Sequence, residues 1–462
     1  MSLAQRWHIT LALVLLLLAL LFGVLAALAY LYPSVGDTLP FTQMRPAHVS
    51  AALFWIITGA TAGVLRFKDD VFPHSGGAFL HRVFLFLWTG TIIAIFIAYA
   101  MESFGGREYW EFPPLLAVPL LIGWLVLMAG YFRAWLRRAP DPPLYVWMWT
   151  TGIVFFLITF IEQNLWHIPW FRDTYMREIS VQWKSNGAMV GAWNQMIYGT
   201  ALYLMTRISG DEGIARGPKV FFFWFLGLSN LMFNWGHHIY NAPTAAWIRH
   251  LAYGISMAEW ILLINIIRGF KAKLDEHRRH KHLATYRFLI GAELWVFLNL
   301  LLALLMSIPA INRYTHGTHI TVAHAMGATI GINTMILLGS LTYMLRIDER
   351  GNGNGWMERG RLLAMGSLLI FWSALVAAGA GKGWRMTGLG IQDFQQVMQP
   401  VTPILMVFAY AGFGVLAGLG IIGTRLLVAC VAYPASNGGS GSPGRDAERT
   451  EAPGGINGQR ND

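Results

Sequence analysis

From Ile9 to Tyr32 the chain passes through 24 consecutive positions without one charged side chain. About 20 apolar residues already suffice to cross a bilayer as a helix, so this run reads as a membrane span. It is longer than the apolar part of a secretory signal and leads into further apolar stretches, so it reads as a span retained in the mature protein. Comparable stretches recur at 48–65, 81–100, 114–133, 145–164, 186–206, 219–239, 247–267, 287–308, 318–345, 362–380 and 401–430. Numbered I to XII, they predict an all-α integral membrane fold of about twelve transmembrane helices, because a helix satisfies its own backbone polar groups in hydrocarbon. The composition agrees: 55% of 462 residues are hydrophobic and 13% are charged, about half the charged share of a soluble domain.

The basic residues sort by side. Arg66, Lys68, Arg133, Arg137, Arg138, Arg207, Arg216, Lys219 and the runs from Lys271 to Arg287 and Arg346 to Arg361 fall on one face; the opposite face carries fewer. Cytoplasmic loops hold the excess of Lys and Arg, which places both termini in the cytoplasm and the chain in a bacterial inner membrane. The same distribution leaves no basic patch interleaved with aromatics, so the pI near 9.7 reports topology and nucleic acid is excluded. Residues 1–432 read as one membrane domain. Residues 433–462, rich in Gly, Ser, Pro and charge, read as a disordered tail, since they cannot bury enough apolar area to fold. A single cysteine, Cys430, leaves no internal disulfide, no Cys-ligated metal cluster and no C-x-x-C-H haem attachment.

Against this background the histidines stand out. Five of the 14, His48, His237, His238, His319 and His324, fall in predicted spans or at their edges, where an ionisable group is costly without a partner. One intramembrane histidine is as well explained by a packing hydrogen bond as by a ligand role. With the predicted topology, however, His48, His237, His238 and His324 reach the same outer third of the membrane from separate spans. That convergence favours a buried metal or haem. Within span X, His324 and Met326 lie two residues apart, about 200° around an α-helix, on opposite flanks. Imidazole and thioether are both axial ligands of haem iron, although a methionine there is as readily plain packing.

The segments Met44-Arg45-Pro46-Ala47-His48, Gly106-Arg107-Glu108-Tyr109-Trp110-Glu111, Gly236-His237-His238, Ser256-Met257-Ala258-Glu259 and Tyr314-Thr315-His316-Gly317-Thr318 with Ala323-His324 together resemble the nitric oxide reductase branch of the haem–copper oxidase superfamily. The likeness is to the large, catalytic subunit of the cytochrome c-dependent type. The resemblance spans all twelve predicted helices. It implies a low-spin haem b ligated by His48, a high-spin haem b3 ligated by His324, and a non-haem metal, Fe or Cu, bound by His237 and His238 with Glu259 beside it. It also implies a c-type cytochrome subunit on the outer face near Arg107, Glu108 and Glu111, and NO as substrate.

Four positions depart from that pattern. Met326 stands where the branch has the second low-spin histidine. On span VI the branch carries His-x-x-x-Glu-Gly-x-Trp; aligned on Gly191 and Trp193, this chain has Asn186 and Val190, and Asn194 replaces a further Glu. The second metal would then keep His237, His238, Glu259 and the Asn186 carbonyl, a poorer set for iron. The expected reaction is reduction of NO to N2O in denitrification. The alternatives are altered NO chemistry such as dismutation, or a catalytically silent haem protein that binds NO or passes electrons. An O2 reductase is disfavoured by the lack of His-x-x-x-Tyr on span VI, and a transporter has no use for such ligands at one depth.

Overall fold

A computed structural model describes residues 1–72, 77–138, 140–233, 236, 245–350 and 354–433. The predicted residues His237 and His238, and the tail from 434 onward, lie outside the described residues. Helices fall at all twelve expected places: α1 (Leu3–Leu31), α2 (Phe41–Val71), α3 (Ala78–Ala100), α4 (Ala117–Trp135), α5 (Leu144–Gln163), α6 (Tyr175–Ser209), α7 (Pro218–Phe233), α8 (Ala246–Lys273), α9 (Leu283–Ser307), α10 (His319–Met344), α11 (Asn354–Gly383) and α12 (Thr402–Val431). Among the described residues ten of these are long and apolar enough to cross a membrane. The other two are α6 and α7. Helix α7 is described only to Phe233, and α6 is more polar because it faces protein: from Ser185 to Ser209 nearly every side chain is buried.

Helix pairs in lipid gain little from hydrophobic burial, so close packing and hydrogen bonds must hold them. Buried tryptophans supply many of those bonds here. Trp55 Nε1 of α2 donates to Thr334 Oγ1 of α10 at 3.0 Å, and Trp88 of α3 to Thr58 of α2 at 3.0 Å. Trp124 of α4 donates to the Ile153 carbonyl of α5 at 3.0 Å, and Trp149 of α5 to Thr200 of α6 at 3.2 Å. An indole needs a partner for its N–H once it leaves water, and each of these finds one on the neighbouring helix. The pairs fix rotation as well as distance, each contributing about 0.6 kcal/mol.

Helix α10 is not uniform. His319–Met326 is α-helical, Gly327–Thr334 winds as a π-helix, and Met335–Met344 returns to α. The wide turn lies against α9, where a Cβ on Gly331 would come within 2.2 Å of the Trp295 ring. Glycine is therefore needed for the approach. Thr334 Oγ1 reaches back to the Thr329 carbonyl at 2.9 Å, capping the widened turn from within. Such π segments recur where a helix carries function, and this one begins directly after Met326.

Candidate functional site

A cavity of about 330 Å³ lies inside the bundle and spans both flanks of α10. Toward one flank it is walled by Leu16 and Ala19 of α1, by His48 and Ile56 of α2, and by Met326 and Ile330 of α10. Toward the other stand Trp193 and Asn194 of α6, Asn230 of α7, Met257 and Trp260 of α8, and His324. The wall is largely aliphatic and aromatic, and its few nitrogen and sulfur donors come from separate helices.

His48 is held from behind. Its Nδ1 lies 2.8 Å from the Ala19 carbonyl of α1. A ring nitrogen beside a carbonyl must carry the proton, which leaves the Nε2 lone pair free to ligate. The position depends on Gly23, one turn further along α1, where a Cβ would sit 2.8 Å from the imidazole.

His324 has no hydrogen-bond partner at Nδ1 although that atom is buried. Its ring lies nearly parallel to Trp260, with centroids 6.0 Å apart. Its peptide is fixed instead: Asn299 Nδ2 of α9 donates to the His324 carbonyl at 2.9 Å. Met326 points away from that flank and packs on Leu302, Ile320, Ala323 and Leu375 of α9, α10 and α11. The two residues thus occupy opposite sides of one helix, and both line the cavity. His319, the other histidine of α10, does not line it.

The α6 side is different in chemistry. Asn186 is buried with neither amide atom bonded, and Trp193 Nε1 is likewise unpartnered. Val190 and Asn194 line the cavity, and Asn194 Oδ1 accepts from Asn333 Nδ2 of α10 at 3.0 Å. Glu259 of α8 is fully buried beside the cavity and accepts from Asn230 Nδ2 at 2.5 Å.

Several lining residues were not anticipated from the histidine pattern: Asn333, Tyr253, Tyr109 and His316. Tyr109 holds the left-handed φ of +74°, a strained conformation for a bulky side chain that commonly marks function, and burial pushes its phenol up to about 12. His316, in the loop before α10, is kept below its usual range by burial, which favours the neutral ring. Beside Tyr109, Arg45 pairs with Glu111 and lies 3.6 Å from Glu108, and Arg107 pairs with Glu178 of α6. The outer-loop charges expected to meet a partner thus already clamp α2 and α6 to this loop.

The donor set fits axial ligation of haem: two imidazoles with a nitrogen to spare, a thioether on the opposite flank, and a hydrophobic envelope. No comparable set exists for a second metal among the described residues, where no three His, Cys, Asp or Glu side chains come together.

Comparison with known proteins agrees with this fold. The chain matches the family described as cytochrome c and quinol oxidase polypeptide I over residues 4–414. It is 22% identical over 372 residues to a nitric oxide reductase subunit from Stutzerimonas stutzeri, covering 72% of this chain and 73% of that one. It is also 22% identical over 459 residues to a cytochrome c oxidase subunit 1 homologue of Agrobacterium tumefaciens (strain T37), covering 91% and 82%. A solved haem–copper terminal oxidase dimer shares the fold with a TM-score of 0.72 at 15% identity, over 94% of this chain and 85% of that one. The helix order, the cavity astride α10 and the match along nearly the whole chain lead to one assignment: this is a divergent multi-pass membrane protein of the cytochrome c and quinol oxidase polypeptide I family.

Proposed function

We propose that this chain is a haem-bearing oxidoreductase subunit that reduces NO to N2O. The observation that carries the reading is the cavity astride α10, with His48 and Met326 toward one flank and His324 on the other. His48 and Met326 would hold a low-spin haem b, and His324 a high-spin haem b3. Haem bound there supplies an electron relay and a metal for the nitrogen of NO.

The chain's own residues do the rest. Asn299 fixes the His324 peptide, and Trp260 limits rotation of its ring. Coupling of two NO to N2O and water consumes two electrons and two protons, so a proton carrier must stand near the cavity. Glu259 is the buried carboxyl in reach, oriented by Asn230. Val190 bears on the choice of substrate: it stands four residues after Asn186 and lines the cavity, where an O2 reductase of the His-x-x-x-Tyr type would present a phenol. Electrons would come from a c-type cytochrome subunit on the outer face.

The neutral pair Asn186 and Val190 also favours a second reading, in which the chain binds NO without turning it over or passes electrons onward. Anaerobic assays on the purified protein with an artificial reductant separate the two. Stoichiometric N2O supports turnover; an NO-bound haem spectrum with no gas product selects the silent protein. Consumption of O2 with inertness toward NO would overturn both.

A further inference from the structure

A second cavity lies at the far end of α2 from His48, bounded by the first turns of α1 and α3, the last turns of α2 and α10, and the second half of α4. Its volume is about 440 Å³, and it contains none of the residues of the cavity astride α10. Three cationic side chains line it, Arg66, Lys68 and Arg346, against one carboxylate, Asp69. We propose that this pocket binds a phosphate-bearing anion, the headgroup of an anionic phospholipid, between Arg66, Lys68, Arg346 and the amino-terminal turn of α3.

The local carboxylates are already committed. Lys68 Nζ lies 2.6 Å from Asp69 Oδ1, and Gln5 Nε2 donates to Asp69 Oδ2 at 3.1 Å. Arg66 pairs with Asp70 at 2.8 Å, and the Tyr203 hydroxyl donates to the other Asp70 oxygen at 2.7 Å. Arg207 also faces Asp70 and hydrogen-bonds Tyr343. Among the described residues the ion pair of Arg346 is with Glu349 at 3.8 Å, both side chains about half exposed, a contact that solvent largely screens. Four cations, Arg66, Lys68, Arg207 and Arg346, thus meet three carboxylates, Asp69, Asp70 and Glu349, which leaves one positive charge over at a site whose floor is apolar: Leu65, Leu80, Phe84, Val126 and Met344.

Two backbone features point the same way. Arg346 holds the left-handed φ of +53° just past the end of α10, where the Ile347 N–H returns to the Thr342 carbonyl at 3.1 Å, so the helix end fixes the point from which its side chain reaches the pocket. Helix α3 starts at Gly77 with no side-chain cap, so the electropositive end of a 23-residue helix opens on the pocket beside the cations. A free phosphate would use only these polar groups. A phospholipid would use the floor as well, and Leu3 and Phe79, next in the chain to the lining residues Ser2 and Ala78, are 76% and 68% exposed.

The test uses the full chain purified from membranes and exchanged into nanodiscs of phosphatidylcholine with or without phosphatidylglycerol. Wild type and R346K should retain phosphatidylglycerol through delipidation, whereas R346G should retain about fivefold less. Glycine suits the left-handed φ, so R346G should melt no lower than wild type in pure phosphatidylcholine, which separates lost binding from lost folding. In a second arm, inorganic phosphate replaces the lipid: a melting-temperature rise in wild type that is absent from R346G, without lipid preference, would assign the same cations to a soluble phosphate compound. Equal behaviour of wild type, R346K and R346G in both arms would overturn the proposal.

Discussion

On one flank of α10 stand His48 and Met326, the proposed ligand pair, on two helices with the imidazole braced from behind by Ala19. Beyond His324, on the other flank, α6 offers Asn186, Val190 and Asn194, neutral side chains that hold protons and metals poorly. The flanks share one cavity and one helix, yet among the described residues it is His48, not His324, whose far nitrogen is held, and a hydrogen bond there sets the tautomer and the ring angle of a ligand. A site can therefore keep its electron-accepting half intact while its second-metal half changes chemistry. Single substitutions on either flank break or sharpen that asymmetry.

The largest effect is expected on the braced flank. His48→Ala removes the proposed axial ligand of α2, and no other imidazole of α2 can replace it. Haem content by pyridine haemochrome should fall from about two per chain to about one, with loss of the low-spin spectrum. An unchanged low-spin spectrum would put the ligand elsewhere.

Met326 comes next, because its substitution changes ligation without emptying the flank. Met326→Leu keeps the volume that packs on Leu302 and Leu375 but offers no donor, so the low-spin haem should become high-spin and bind CO. Met326→His should restore low-spin character at a lower reduction potential, since imidazole favours Fe(III) more than thioether does. If Met326→Leu leaves the spectrum untouched, Met326 is packing and His316, which lines the same cavity, becomes the candidate in place of His319, which does not.

On the other flank the informative change is a gain. Asn186 is buried with both amide atoms free, so Asn186→His breaks no side-chain hydrogen bond and would restore the imidazole that the resemblance expects. Non-haem metal per chain should rise several-fold with both haem spectra preserved. No rise would mean that alignment on Gly191 and Trp193 misplaces α6.

How much of this was legible beforehand differs between elements for physical reasons. Long charge-free runs announced α1 and α12 because lipid admits little else. Helix α2 was expected at 48–65 and runs Phe41–Val71, since Pro46 and the ionic residues at both ends hide a continuous helix from hydropathy. Helix α6 was expected at 186–206 and begins at Tyr175; its charged first turns pair with a loop and with α5, as Glu178 does with Arg107 and Lys184 with Glu162, partners that sequence separation conceals. The opposite-flank placement of His324 and Met326 could be read because both precede the π turn, where 100° per residue still applies. The π turn itself could not, because its cause is Trp295 on another helix. Asn299 and Asn333 escaped notice because attention went to histidines, although an asparagine in the middle of an apolar span signals a required partner by the same reasoning about cost.

The smallest effect tests the brace alone. Gly23 makes no ligand and no hydrogen bond of its own, yet a Cβ there would stand 2.8 Å from both Nδ1 and Cε1 of His48. Those atoms belong to a ring already committed to the Ala19 carbonyl on the same helix, so the ring cannot yield without giving up the bond that sets its tautomer. Gly23→Ala should leave α1 folded, because alanine is the better helix former by about 1 kcal/mol, while weakening low-spin haem retention about tenfold, the usual cost of disturbing a ligand's supporting bond. The high-spin haem on His324 should be unaffected, since it lies on the other flank. Haem-transfer rates to apomyoglobin, followed separately for the two spectra, measure this directly. Equal acceleration of both would mean that Gly23→Ala loosened the bundle as a whole, and the special dependence of His48 on α1 would be lost with it.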